Sequence, residues 1–206
     1  MHQFWNERFG TDEFIYGESP NEFFASELEK LPSGRILLPG EGEGRNAVYA
    51  AQRGWLADAV DFSDAARKKA LRLAANQGVV FNRYELADLG QFEPENGIYD
   101  AIGLIFVHLE PEIRRRFHQR LADALKPGGS LIAEFFSVRQ FGKKSGGPKD
   151  PLMLYRPEEL IEDFKSLNIC FIKAIETQLG EGRHHQGVAS VIRLLAKKKG
   201  DYLRGE

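Results

Sequence analysis

The chain is poor in everything that would tie it to an oxidising compartment, a membrane or a polyanion. It has one cysteine, Cys170, so no internal disulfide can form and a reducing, cytoplasmic setting is expected. No apolar run approaches the ~18 residues of a membrane span. Residues 1–8 lack the basic-then-apolar layout of a secretory leader. Neither sign of charge dominates: the formal net charge is −2, which argues against a nucleic-acid partner. Repeats, low-complexity tracts and linkers are missing, as are a catalytic triad and the cysteine cluster of a zinc site, so no metal is expected.

What is present suffices for one α/β domain, since 206 residues with 42% hydrophobic content can build a real core. Asn21 suits a helix cap before residues 22–30. Residues 35–38 form an apolar run that breaks at Pro39-Gly40 and read as a buried parallel strand. A helix over 45–53 follows, then a strand over 56–60 ending at Asp61. Ser63 is placed to cap a helix to about Asn76. Strands near 79–84, 99–106 and 130–136 come next, with a helix over 111–125 stopped by Lys126-Pro127-Gly128-Gly129. This alternation predicts a parallel sheet covered on both faces.

The last third departs from that rhythm. Residues 137–156 make a long glycine- and proline-bearing connection of a kind that is usually functional or disordered. Arg156-Pro157-Glu158-Glu159 opens a helix to about Leu167. Strand-like runs at 169–177 and 187–196, joined by 178–186, permit an antiparallel hairpin at the sheet edge. Cys170 is expected to be packed within it. The tail after Lys197 is charged and expected to fray.

Gly40, Gly42 and Gly44 lie between a buried strand and a helix. Lacking a Cβ, they let backbone approach a ligand, and the helix start offers unpaired N–H groups to an anion. Two cofactor classes compete. The dinucleotide fingerprint fails at Arg45 when counted from Gly40, yet is tolerated at Ala47 when counted from Gly42. Asp61 suits either ligand, because a carboxylate there can accept both ribose hydroxyl hydrogens; it also suits a helix cap beside Ser63. In Ala87-Asp88-Leu89 a carboxylate and a backbone N–H can read an adenine edge, or simply close a turn.

Taken in order, Ile36-Leu37-Leu38-Pro39-Gly40-Glu41-Gly42-Glu43-Gly44-Arg45-Asn46-Ala47, Ala59-Val60-Asp61-Phe62-Ser63, Ala87-Asp88-Leu89, Tyr99-Asp100 and Leu125-Lys126-Pro127-Gly128-Gly129 resemble the class I methyltransferases that use S-adenosylmethionine (SAM). The likeness is to the small TehB-like (tellurite-resistance-type) and thiopurine-methyltransferase-like group. It implies a Rossmann-like α/β sandwich with a seven-stranded, mostly parallel sheet in the order 3-2-1-4-5-7-6. The seventh strand is antiparallel, and helices cover both faces. One domain is expected over 1–206: a lid and helix segment at 1–33, a SAM-binding core at 34–136, an active-site loop at 137–156, and a helix and strand hairpin at 157–197. SAM is the implied cofactor and S-adenosylhomocysteine the product. The residues implied around it are Gly40, Glu41, Gly42, Gly44, Arg45, Asp61, Phe62, Asp88, Leu89 and Phe106. The pattern departs at Leu38, where many members carry an acid that helps to hold the methionine ammonium. Glu41 or Glu43 is the candidate substitute. Arg45 is a candidate partner for the methionine carboxylate, or a solvated surface arginine.

Acceptor chemistry is expected beyond the carboxyl ends of the strands. His108 follows the fourth strand, and His184 and His185 lie between the edge strands; His108 and His185 are the catalytic candidates. The 143–150 loop and the aromatic amino terminus (Phe4, Trp5, Phe9, Phe14, Tyr16) are lid candidates, with plain packing on the sheet as the alternative. The expected activity is methyl transfer to a small-molecule acceptor, a thiol or a chalcogen oxyanion such as tellurite, by a monomer or homodimer without nucleic-acid or membrane partners. A non-catalytic SAM-binding or sensing protein is the alternative, and a nucleotide-dependent reductase the outside one.

Overall fold

A strand buried on both faces needs an apolar side chain at nearly every position, and three short runs meet that demand. In the computed structural model, which describes residues 2–200 with side chains from Trp5 onward, they are β1 (Arg35–Pro39), β2 (Leu56–Asp61) and β4 (Tyr99–Ile105). Around them run α1 (His2–Phe9), α2 (Glu22–Leu28), α3 (Arg45–Gln52), α4 (Asp64–Asn76), β3 (Arg83–Leu86), α5 (Pro111–Ala124), β5 (Leu125–Phe136), α6 (Pro157–Asp163), β6 (Leu167–Glu181) and β7 (His185–Lys198). The sheet order is β3-β2-β1-β4-β5-β7-β6, with β7 antiparallel to both of its neighbours, as the resemblance implied.

Period-two alternation divides the core. On β1, Leu37 joins Ile102, Leu104, Phe117, Phe135 and Tyr155 in one layer. Ile36 and Leu38 join Phe24, Leu28, Tyr49 and Trp55 in the other. Both expected caps form: the Asn21 side chain accepts from Phe24 N–H and the Ser63 hydroxyl from Ala66 N–H.

Several expected boundaries move, each for a local reason. The third strand begins at Arg83 rather than near 79, because Val79 N–H closes the end of α4 on the Ala74 carbonyl and Val80 stands 85% exposed. Lys126–Gly129 does not separate helix from strand; it belongs to β5, whose pairing with β4 shifts register between Tyr99 and Ala101. α6 stops at Asp163, freeing Leu167 to start β6. The 137–156 connection contains two 3-10 turns, Val138–Gln140 and Pro151–Met153, and a Ser137–Tyr155 bridge joins its ends.

The largest change is at the hairpin. The expected 178–186 connection is mostly ladder, with Glu181 paired to His185 and three residues left as the turn. Cys170 is not packed as expected but exposed, because it falls at the register shift between Ile169 and Phe171 on the outer strand of the sheet. Of the calls on the termini, residues 201–206 and the Phe4 side chain lie outside the described residues.

Candidate active site

Parallel strands direct their carboxyl ends to one rim, and β1, β2 and β4 deliver Pro39, Asp61 and Ile105 there. At the end of β1 the chain turns through three glycines with positive φ: 63° at Gly40, 62° at Gly42 and 92° at Gly44. A Cβ on Gly40 would lie 2.7 Å from Val107, and one on Gly42 would face the Phe9 ring at 3.4 Å. At Gly44 it would strike Ala70 of α4, so the third glycine serves helix packing.

Acidic side chains brace this turn. The Asp61 carboxylate accepts from Gly42 N–H at 3.0 Å and Ser63 N–H at 2.9 Å, while Tyr84 donates to the Gly42 carbonyl at 2.6 Å. Glu41 accepts from Ala47 N–H at 2.7 Å and so caps the first turn of α3. Burial pushes its carboxyl up to about 7, against the opposing pull of the Ala47 N–H and Arg45.

The rim opens into a cavity of about 470 Å³. Of the expected cofactor residues, Gly40, Glu41, Gly42, Arg45, Asp61, Phe62, Leu89 and Phe106 line it. Gly44 and Asp88 are not among its lining residues. Asp88 is exposed and accepts from Gly90 N–H at 2.8 Å, closing a turn.

Glu43 and Arg45 hold the amino-terminal segment down. Glu43 accepts from Ile15 N–H and Tyr16 N–H at 3.2 and 3.1 Å and pairs with Lys69 at 2.5 Å. Arg45 is 7% exposed, so it is no solvated surface arginine, and it donates to the Tyr16 carbonyl and to Glu181. Trp5 stacks on Phe9, Arg8 lies over Trp5 and donates to the Tyr16 hydroxyl, and all four side chains line the cavity. Phe14 takes the other expected course: it packs beside Val48 and Leu73. Gly147, Pro148 and Lys149 of the long connection line the cavity opposite. Gln140 anchors that connection through Ser145 and Gly146.

The two candidate histidines differ in what their nitrogens do. His108 Nδ1 lies 2.7 Å from the Met153 carbonyl, and Nε2 accepts from Phe136 N–H at 3.1 Å. Both nitrogens are committed to backbone. Burial lowers its pKa to about 4, so it stays neutral and has no lone pair left for an acceptor. His185 instead donates from Nδ1 to Glu181 at 3.3 Å and stands between Tyr16, Phe106 and Phe136, with ring centroids at 4.6, 4.7 and 5.3 Å. Phe106 reaches that position in a left-handed conformation (φ 54°), the one non-glycine residue among those described to do so. Holding it there costs about 1–2 kcal/mol.

Glu181 and Arg8 were not singled out from the sequence. Glu181 had a usable signal: an acid four residues before His185, with Gly182 between them to turn the chain.

A family profile described as a methyltransferase domain matches residues 36–129. Among curated relatives, 2-heptyl-1-hydroxyquinolin-4(1H)-one methyltransferase of Mycobacteroides abscessus is 29% identical over 117 residues, covering 56% of this chain and 52% of that protein. Thiocyanate methyltransferase 1 of Brassica oleracea is 27% identical over 144 residues, covering 68% of this chain and 62% of that protein. The matches thus span between about half and just under two-thirds of those relatives' own lengths. Two solved structures share the fold at 15% identity. One comes from work on conversion of a disulfide bond into a thioacetal group during echinomycin biosynthesis, with a TM-score of 0.80 over 98% of this chain and 93% of that one. The other is TehB from Haemophilus influenzae, with a TM-score of 0.73 over 96% and 67%.

Proposed function

We propose that this chain is a class I methyltransferase that uses SAM to methylate a small molecule, as a monomer or homodimer in the cytoplasm. The observation that carries the reading is the Gly40–Gly42 turn with Asp61 beside it, at the mouth of a cavity of about 470 Å³. The residues present fit the ligand. Gly40 and Gly42 leave no Cβ over the backbone, Asp61 can accept from a ribose, Phe62 and Leu89 supply apolar surface for a base, and Glu41 can face an ammonium. When bound, SAM supplies a methyl group on a sulfonium, open to in-line displacement.

The chain's own contribution is to position the acceptor and exclude water. Trp5, Phe9 and Tyr16 close one side and the 147–149 segment the other. His108 shapes the wall between Met153 and Phe136 and is assigned no proton transfer. Phe106, Phe136, Leu109 and Met153 make that wall apolar, and burying a strongly hydrated oxyanion against it is costly. A thiol or ring-borne acceptor therefore suits the cavity better than tellurite. No helix among the described residues is long and apolar enough to cross a membrane.

Calorimetry with S-adenosylhomocysteine, followed by an acceptor screen on the same protein, tests the reading. One-to-one binding with turnover is expected. Binding without turnover on thiol, selenite, tellurite or amine acceptors would point to a sensing protein, and NAD(P)H binding in its place to a reductase.

A further inference from the structure

The β6–β7 hairpin sets two ionisable side chains side by side, one of them in the cavity wall. Glu181 and His185 are a cross-strand pair, 10% and 8% exposed at the side chain. His185 lines the cavity, and among the described residues its hydrogen bond runs through Nδ1, to Glu181. Glu181 is itself held from two further directions, by Arg45 at 2.8 Å and by the Asn21 side-chain amide at 2.9 Å. This arrangement fixes the tautomer: Nδ1 carries the proton, and Nε2 is left as the acceptor atom. An aromatic enclosure of Tyr16, Phe106 and Phe136 surrounds the ring, and a Cβ on Gly146 would come within 2.7 Å of it.

Resting on the methyltransferase reading, we infer that His185 is the general base of the transfer, positioned by Glu181, and that the acceptor arrives carrying a proton. Its class is a neutral thiol or hydroxyl on an apolar molecule, not a preformed anion. A thiocyanate-like or oxyanion acceptor needs no base, and an imidazole held by a buried carboxylate has no work to do beside one. In the step, the acceptor heteroatom bonds to the methyl carbon as the carbon–sulfur bond breaks and its electron pair returns to sulfur. The acceptor's proton moves to His185 Nε2. The resulting imidazolium faces the Glu181 carboxylate, which offsets its charge until the proton is released to solvent.

The charged neighbours are consistent with this role. Burial lowers the His185 pKa, as do Arg45 from α3 and His184 beside it, while Glu181 opposes them. The ring therefore rests neutral near pH 7, ready to accept. Burial alone would raise the Glu181 carboxyl, but His185 and Arg45 outweigh it and hold it at about 2. The other titratable groups facing the ring are Tyr16, with Arg8 on its hydroxyl, and His108, which burial keeps neutral.

His185→Gln and Glu181→Gln, compared with wild type on an aryl thiol, a phenol and thiocyanate, test the assignment. His185→Gln should lower kcat for the proton-bearing acceptors by roughly 10²–10⁴-fold. Thiocyanate turnover should change only a few-fold, and S-adenosylhomocysteine affinity by calorimetry should stay unchanged. Glu181→Gln should move the acidic limb of kcat/KM, and the His185 pKa read by imidazole NMR, to lower pH by about one unit or more. Equal losses on all three acceptors, or an unmoved limb, would overturn the base. If no acceptor turns over, the nitrogen spectrum at pH 8 decides: an Nδ1-protonated ring supports the assignment and an Nε2-protonated ring overturns it. Failure of wild type to bind S-adenosylhomocysteine would sink the methyltransferase reading instead, which keeps the two outcomes apart.

Discussion

Glu41 carries a cost that depends on pH. An unfolded glutamate titrates at 4.5, whereas burial raises the folded group to about 7, so the folded protein holds an extra proton between those values. A raised folded pKa contributes stability that is complete below about pH 4.5 and lost as pH rises through about 7. A shift of that size is worth on the order of 3 kcal/mol. Glu41→Gln keeps an acceptor for Ala47 N–H without the titration. Wild type should therefore lose stability relative to the variant across that window, measured by urea unfolding at a series of pH values. The variant should also bind SAM more weakly in calorimetry if Glu41 faces the ammonium, and unchanged affinity would remove it from the site. At Gly40, φ of 63° and the 2.7 Å approach to Val107 make Gly40→Ala doubly unfavourable. The variant should lose about 1–3 kcal/mol of stability and its S-adenosylhomocysteine binding together, checked by thermal unfolding and titration.

The element that most resembles a moving part is the segment from α1 through Tyr16. Its aromatic side chains roof the cavity, but its backbone is fastened by Glu43 and Arg45, the two charged residues of the glycine turn's second half. The Gly40–Gly42 turn, the proposed ligand seat, is thereby adjacent in sequence to the groups that latch the roof. Lys69→Met removes the cation beside Glu43 and leaves a buried carboxylate uncompensated, a loss of about 3–5 kcal/mol. Limited proteolysis should cut the variant faster within residues 10–16, and SAM should slow the cut in wild type; equal rates in all states would mean the segment is static packing. The aromatic composition of residues 1–20 signalled a cover, yet it could not separate Phe9, which lines the cavity, from Phe14, which packs by α4. Both are apolar aromatic residues five apart, and only the break of α1 after Phe9 and the bend at residues 11–13 send them to different sides. The edge hairpin was legible as two strands. Its length was not, because Gln178, Gly180 and Glu181 have weak strand preference and pair only where β7 lies beside them.

For the molecule as a whole, a ligand seated on β1, β2 and β4 while touching the amino-terminal roof and β7 should stabilise the entire fold. At one hundred times its dissociation constant, S-adenosylhomocysteine should add about 2.7 kcal/mol, a rise in Tm of roughly 5–10 °C for a domain of this size, measured by differential scanning calorimetry. The family resemblance supplied the sheet order; the sequence by itself determined the alternation of strands and helices, the caps at Asn21 and Ser63, and the Gly40–Gly42 turn with Asp61. Each of these rests on local chemistry: apolar runs that must be buried, a side chain within reach of its own helix start, and glycine's tolerance of positive φ. Tertiary structure alone decided which ionisable groups meet. Glu181 reaches Arg45 and Asn21 across 136 and 160 residues of chain, and His108 is closed off by backbone at Phe136 and Met153. Such pairings depend on where separate strands bring their ends together, and no local pattern encodes that distance.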